Sequence, residues 1–229
     1  MTWWLLSFAR RGPARYLSHL DTSRAVQRTF ARAGVPIALS QGMRPKPRIS
    51  LPLPLPVGAA GLEELAVIEV PDEVPGSAAT LRVLRAAAPP GLEPLAVVVV
   101  GDQHPRPQAR EVEYTCRIES DAGALRAAVE RYASEGSVVR ERVSPKGRRR
   151  LDLKDYVAGA ATVAVAGGTE VRFTISYGAE GAARPQEFID QIAEWAGVEP
   201  VMYGLERRHI AWQGLPSGRG PGDGRSVSS

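Results

Sequence analysis

Three observations predict an α+β chain made of two similar units. Short apolar stretches with the two-residue period of strands alternate with stretches carrying the i, i+4, i+7 spacing of an amphipathic helix. This strand–helix alternation runs to Val100 and begins again at Val112, without a residue-level repeat. Between the two runs lies Asp102–Arg110, a polar stretch holding Pro105 and Pro107, which reads as a linker.

In the first run, Thr2–Ala9 reads as a strand. A helix opens at Ser18 or Asp21 and carries a buried stripe of Ala25, Val26, Thr29, Phe30 and Ala33; Gly34 and Pro36 stop it. Ile37–Ser40 reads as a short strand and Gln41–Pro47 as a loop. Arg48–Leu55 alternates apolar residues with Pro52 and Pro54, which cannot donate to a ladder, so an edge strand or extended arm is expected. Glu64–Val70 is a strand, Ser77 caps a helix with Leu81, Leu84 and Ala88, and Leu95–Val100 is an apolar strand. The order β-α-β-β-β-α-β is close to a ferredoxin-like unit with one added strand.

The second run has strands at Val112–Ile118 and Val138–Val143, with a helix capped by Asp121 between them. A basic turn is expected at Pro145–Arg150, and further strands at Arg150–Tyr156, Thr162–Ala166 and Glu170–Tyr177. Pro185 suits a first helical position, and Val201–Trp212 closes the unit as a strand. Two tandem ferredoxin-like domains are therefore expected, at 1–103 and 111–213, followed by a disordered tail, 214–229, of Gly, Ser, Pro and charge.

Composition narrows the function. A chain of 229 residues with 44% hydrophobic content can build such cores. A single cysteine, Cys116, cannot form an internal disulfide and reads as a buried strand residue, which fits a reducing, cytoplasmic location. No run approaches the roughly 18 apolar residues of a membrane span. The apolar opening has no basic region before it and reads as a strand rather than a leader. Neither GxxxxGK[ST] nor GxGxxG occurs, and Ser18 and Ser40 lack a hydrolase elbow. His19, His104 and His209 are dispersed, so neither a metal nor a cofactor is expected.

The distribution of charge is more telling than the net +4. Residues 1–56 hold nine Lys/Arg and one acidic residue, Asp21, whereas residues 57–135 hold seven Lys/Arg and thirteen acidic residues. The basic segment suits a polyanion, an acidic protein, or the acidic stretch of its own chain. Arg24 and Arg28 recur one turn apart on the first helix, with Arg15 before it and Gln41, Arg44, Lys46 and Arg48 on the next loop. Such a row reads either as a solvated face or as one basic surface whose guanidinium forks suit phosphate. A second basic group, Lys146–Arg150 with Lys154, includes Arg148. His19 beside Asp21 reads either as a general base or as part of the helix entry, with Asp21 as a cap. Aromatic content of 6% argues against a sheet of exposed stacking rings, and Phe173, Ile175 and Tyr177 read as core.

Several of these segments resemble the radical-SAM-linked protein family, whose members are fused to, or encoded beside, cobalamin-binding radical SAM proteins. The likeness spans about residues 5–210. It rests on Tyr16–Asp21 with Arg24, Ala33–Gly42, Pro45 to Ser50, Leu53–Gly58, Leu151–Tyr156 and Ala183–Glu187. Where that family has an aromatic and then Asn-Pro-His-Pro or a close variant, this chain has Met43-Arg44-Pro45-Lys46-Pro47. A role for that histidine therefore does not carry over, whereas a phosphate contact does. The resemblance implies a radical SAM partner more than a reaction. Three expectations follow: an RNA-binding accessory domain presenting RNA to that partner, a protein-docking module without nucleic-acid binding, and a metal-independent ribonuclease using His19.

Overall fold

The computed structural model describes residues 1–229 except 119, 145–146, 167, 180, 199–202 and 216–229. It is mixed α+β, with mostly antiparallel sheet and four α-helices among the described residues. The chain divides into two compact units, one of Met1–Ala109 with the stretch from Trp212, the other of Arg110–Ala211. The disordered tail expected at 214–229 falls, from 216 onward, outside the described residues.

The first unit contains β1 (Thr2–Arg10), α1 (His19–Arg32), β2 (Ile49–Ser50), β3 (Ala60–Val70), α2 (Ala78–Ala87) and β4 (Leu92–Gly101). Its strands lie in the order β4-β1-β3-β2, each pair antiparallel. Strand periodicity sorts β1 into two faces. Trp4, Leu6 and Phe8 join Val26 and Phe30 of α1, Leu84 of α2 and Ile68 of β3 in the main core. Trp3 and Leu5 pack on the other face with Leu65 and Val67, where Trp212 and Leu215 also rest. With both faces covered, β1 and β3 read as continuous apolar runs rather than alternating ones.

Helix α1 forms where the sequence predicts it. Ser18 is its N-cap, its Oγ accepting the Asp21 N–H at 3.1 Å. Thr22, Ala25, Val26, Thr29 and Phe30 form the buried stripe. Gly34 follows at φ +68°, a backbone conformation that favours glycine, and Val35 N–H returns to the Phe30 carbonyl at 3.0 Å.

Two expectations change here. Ile37–Ser40 forms no strand; a single bridge, Leu39 to Pro47, closes the loop instead. Of Arg48–Leu55 only Ile49 and Ser50 pair, opposite Ile68 and Val67, because Pro52, Pro54 and Pro56 have no N–H to give. The added strand is absent, and the order of the first unit is β-α-β-β-α-β.

The second unit contains β5 (Gln108–Arg117), α3 (Ala122–Ser134), β6 (Val139–Ser144), β7 (Gly147–Asp152), β8 (Val157–Val165), β9 (Gly168–Ser176), α4 (Pro185–Ala196) and β10 (Tyr203–Gln213). Strand order is β10-β5-β9-β8. Strands β6 and β7 pair only with each other, as a ribbon inserted between α3 and β8. Arg148–Arg150, expected in a turn, lie in β7, and the stretch read as a strand to Tyr156 ends in a 3-10 turn at Leu153–Asp155. Phe173 stacks on Tyr114 at 5.5 Å between centroids and meets Phe188 of α4 at 4.6 Å, so its role is core. Cys116 is fully buried in the same strand as Tyr114; burial, with the nearby Glu170 charge, pushes its thiol up to about 12.

The ribbon is held to α4 by two arginines. Arg142 donates Nε and Nη2 to the two carboxylate oxygens of Glu187 at 2.6 and 2.7 Å, and Arg140 donates to Glu194 at 2.7 Å. Burial raises the Glu187 carboxyl, but hydrogen bonds from Arg142 and from the Arg184 N–H outweigh it and hold it below the usual carboxylate range. A carboxyl lowered on folding contributes stability above its unfolded value of about 4.3, and that contribution is lost as pH falls through the folded value. Glu187→Gln should therefore cost about 2 kcal/mol at pH 7, and the cost should shrink as the pH falls through the folded value, measured by urea unfolding along an acid series. A cost that does not shrink in acid would show that the charge of Glu187 does not matter to the ribbon.

Candidate nucleic-acid interface

In the first unit, α1 and the loop after it carry Arg24, Arg28, Arg32, Arg44, Lys46 and Arg48. Arg24 and Arg28 stand one turn apart and outside the buried stripe. Arg24 meets Asp21 at 3.3 Å, an exposed i, i+3 pair that a stronger anion can displace. The Asp21 carboxyl is lowered first by the hydrogen bond from Ser18 and then by Arg24 and Arg28. The Gln41–Lys46 loop is closed by its backbone. Ser40 N–H donates to the Lys46 carbonyl at 2.8 Å, and Lys46 N–H to Ser40 Oγ at 3.0 Å. That closure spends main-chain groups and leaves the side chains of Gln41, Arg44 and Lys46 in solvent.

Other basic residues of the segment serve the fold. Arg48 Nε lies 2.6 Å from Glu69 Oε2, with its guanidinium 5.2 Å from the Trp3 ring centroid. Its partner Glu69 is buried, so Arg48 faces one carboxylate of the acidic stretch of its own chain. Arg15 donates Nε to the Gly58 carbonyl at 2.5 Å and leans on Tyr16. Arg10 is 1% exposed. Its Nη1 donates to Thr22 Oγ1 at 2.8 Å and the Leu17 carbonyl at 2.9 Å, and its Nη2 to the Pro56 carbonyl at 3.1 Å.

In the second unit, Arg148 is exposed on the ribbon, 3.2 Å from Glu141. Lys154 Nζ donates to the Tyr132 carbonyl at 2.9 Å and the Ala133 carbonyl at 3.4 Å in the last turn of α3, where a cation complements the helix end. Lys146 lies outside the described residues.

His19 is exposed at the first turn of α1. The Asp21 carboxylate goes to Ser18 and Arg24, not to the imidazole. The cavity His19 lines with Arg10, Thr22 and Glu64 has a volume of about 10 Å³, room for one water and no substrate. Among the described residues no cluster of His, Cys, Asp or Glu has the makings of a metal site, and no helix is long and apolar enough to cross a membrane.

Two features of this surface escape a sequence reading. A groove of about 440 Å³ runs along α1, floored by Ala31, Val35, Pro36, Ile37 and Pro47 and rimmed by Arg24, Gln27 and Arg28. Large apolar side chains also stand in solvent among the cations: Tyr16 at 66%, Leu20 at 57%, Leu39 at 55% and Met43 at 102% of full exposure. Met43 between Gly42 and Arg44 is the one legible hint, an apolar residue in a loop with no periodic partner.

The described geometry is thus a set of exposed cations, Arg24, Arg28, Arg44 and Lys46, interleaved with apolar surface. Comparison with known proteins adds the following. A family model described as an uncharacterized protein conserved in bacteria (DUF2344) matches residues 4–185. No curated protein matches. Similar solved structures include the crystal structure of a Cbf5-Nop10-Gar1 complex, at 13% identity and a TM-score of 0.46, over 89% of this chain and 48% of that one. This chain thus spans about half the length of that match. Another is the crystal structure of an unknown protein from Galdieria sulphuraria, at 11% identity and a TM-score of 0.25, over 86% and 90% of the two chains. Neither likeness bears on function.

Proposed function

We propose, for a chain that belongs to the DUF2344 family of uncharacterized proteins conserved in bacteria, that it is an RNA-binding accessory protein that presents RNA to a radical SAM partner enzyme. One observation carries the RNA half: Arg24, Arg28, Arg44 and Lys46 project from the first unit with little or no internal pairing, in a segment whose only acidic residue is Asp21. Unspent guanidinium groups around an apolar groove bind phosphate by charge-assisted hydrogen bonds and leave the bases a surface to meet. The partner half rests on the resemblance carried by Tyr16–Asp21, Ala33–Gly42 and Leu53–Gly58. The β-α-β-β-α-β order of the first unit, with its β4-β1-β3-β2 sheet, supports a reading as two tandem ferredoxin-like domains, in which β5-α3-β8-β9-α4-β10 repeats the pattern around an inserted ribbon.

The test is fluorescence anisotropy of a labelled single-stranded RNA at several salt concentrations. Four phosphate contacts give a slope of log affinity against log salt of about −2.8. Binding that is absent, or indifferent to salt, overturns the proposal. A second reading, a docking module that binds the partner enzyme and no nucleic acid, is favoured by the exposed Leu39 and Met43. It predicts a stable complex with the partner in which RNA takes no part.

A further inference from the structure

We propose that the groove along α1 holds a base of single-stranded RNA, with the phosphates on either side held by Arg24 and Arg28. This rests on the RNA-binding reading and names the part of the RNA that the site takes. The groove's floor is apolar and its charged rim carries only arginine: Ala31, Val35, Pro36, Ile37 and Pro47 below, Arg24 and Arg28 one helical turn apart at the edge. A base has apolar faces and a polar edge, and its strand carries a negative charge at each nucleotide, so a nucleotide matches both parts. An apolar peptide would match the floor and leave two guanidinium groups unanswered. The volume of about 440 Å³ falls within the range of small-molecule sites, about 300–1,000 Å³. Gln27 stands on the same rim, and its Nε2 donates to Ser23 Oγ at 3.2 Å, leaving its carbonyl oxygen to accept from a base edge. Asp21 is the acidic group nearest in sequence, and its carboxylate is turned to Ser18 and Arg24. Lys46, next to Pro47 in sequence, stands in solvent and adds a cation beside the groove's lining.

The probes are an oligoadenylate of about ten nucleotides and an abasic RNA of equal length and charge, followed by anisotropy. Wild-type protein should bind the base-bearing strand about tenfold more tightly, the effect of one base seated on an apolar surface. Ala31→Leu fills the floor from an exposed helical position with a good helix former and alters no charge. It should abolish the tenfold preference while the abasic affinity and its salt slope stay unchanged. Gln27→Ala, away from the buried stripe, should lower the preference in part, and it serves as the variant of record if Ala31→Leu lowers the melting temperature. Equal affinity of wild type for both strands overturns the groove proposal and leaves the basic surface standing. So does a preference that survives in Ala31→Leu, or an Ala31→Leu defect confined to binding a protein partner. Failure of wild type to bind either strand overturns the RNA reading itself, and this proposal with it.

Discussion

Arg10→Met should cost about 3–5 kcal/mol, enough to lower the melting temperature of the first unit by about 15 °C. The size follows from where the guanidinium sits. Arg10 ends β1, is 1% exposed, and ties the start of α1, through Thr22, to the loop after β2, through Pro56 and Ala59. It also answers the Leu17 carbonyl at the mouth of the helix. Methionine matches the length of the stem and fills the space, but it leaves those carbonyls buried and unanswered, at about 1–3 kcal/mol for each group that water cannot reach. Arg10→Lys separates charge from geometry. It keeps the cation but has no planar fork to serve Thr22 and Pro56 together, so an intermediate loss is expected. Urea unfolding of both variants is the measurement. A loss under about 1 kcal/mol in Arg10→Met would mean that water or neighbouring groups satisfy the same carbonyls.

The sequence alone does not yield that expectation, although the signal is there. Arg10 and Arg11 are adjacent and alike in composition. Arg10 continues the even-numbered positions of Trp4, Leu6 and Phe8, which face the core, and strand alternation therefore points it inward and Arg11 outward. What the pattern does not reveal is that a ring of carbonyls waits there, because those carbonyls come from residues up to Ala59. Helix α1 is legible because everything that makes it is local: the Ser18 cap, the 3.6-residue stripe, and Gly34 before Pro36. The Ile37–Ser40 strand does not form because strand pairing is not local. Its apolar residues fit a strand, but only one bridge forms, Leu39 to Pro47, through Arg48 N–H to the Ala38 carbonyl and Ser40 N–H to the Lys46 carbonyl, and the Lys46 N–H that would extend the ladder goes to Ser40 Oγ instead.

The basic segment is legible as a charge and not as a surface. Composition counts Arg10, Arg15, Arg44 and Arg48 alike, whereas the structure divides them between inside and outside. Arg48, expected on the phosphate-binding loop, instead meets Glu69 of β3. The Glu69 N–H donates to the Arg48 carbonyl at 3.0 Å, and that backbone bond brings the two side chains together. Lys154 likewise goes to the carbonyl end of α3. The ribbon of β6 and β7 is hidden for the same reason. Its attachment depends on Arg140 reaching Glu194 and Arg142 reaching Glu187, 54 and 45 positions away, a separation at which sequence pairs no charges.

This division makes the last expectation sharp. Replacing Arg44 and Lys46 together with alanine should flatten the salt slope of RNA binding by about 1.4, two contacts' worth. Stability should change by less than about 0.5 kcal/mol, because both side chains stand in solvent and only the backbone of Lys46 closes the loop. Arg48→Ala is the matched control from two residues away. It strands the buried Glu69 carboxylate, so it should cost about 1–3 kcal/mol of stability and leave the slope nearly unchanged. The two variants remove neighbouring cations from one segment, so a general loss of positive charge would affect both slopes, in proportion to the two charges and the one charge removed. Contact with phosphate changes the slope of the double variant alone. Anisotropy against salt and thermal melting, run on the same preparations, report the two effects independently. If Arg44→Ala with Lys46→Ala leaves both slope and affinity as they were, the exposed cations of the loop do not touch RNA. The neighbouring Leu39 and Met43 then become the reason for this loop's exposure, and a protein partner its ligand.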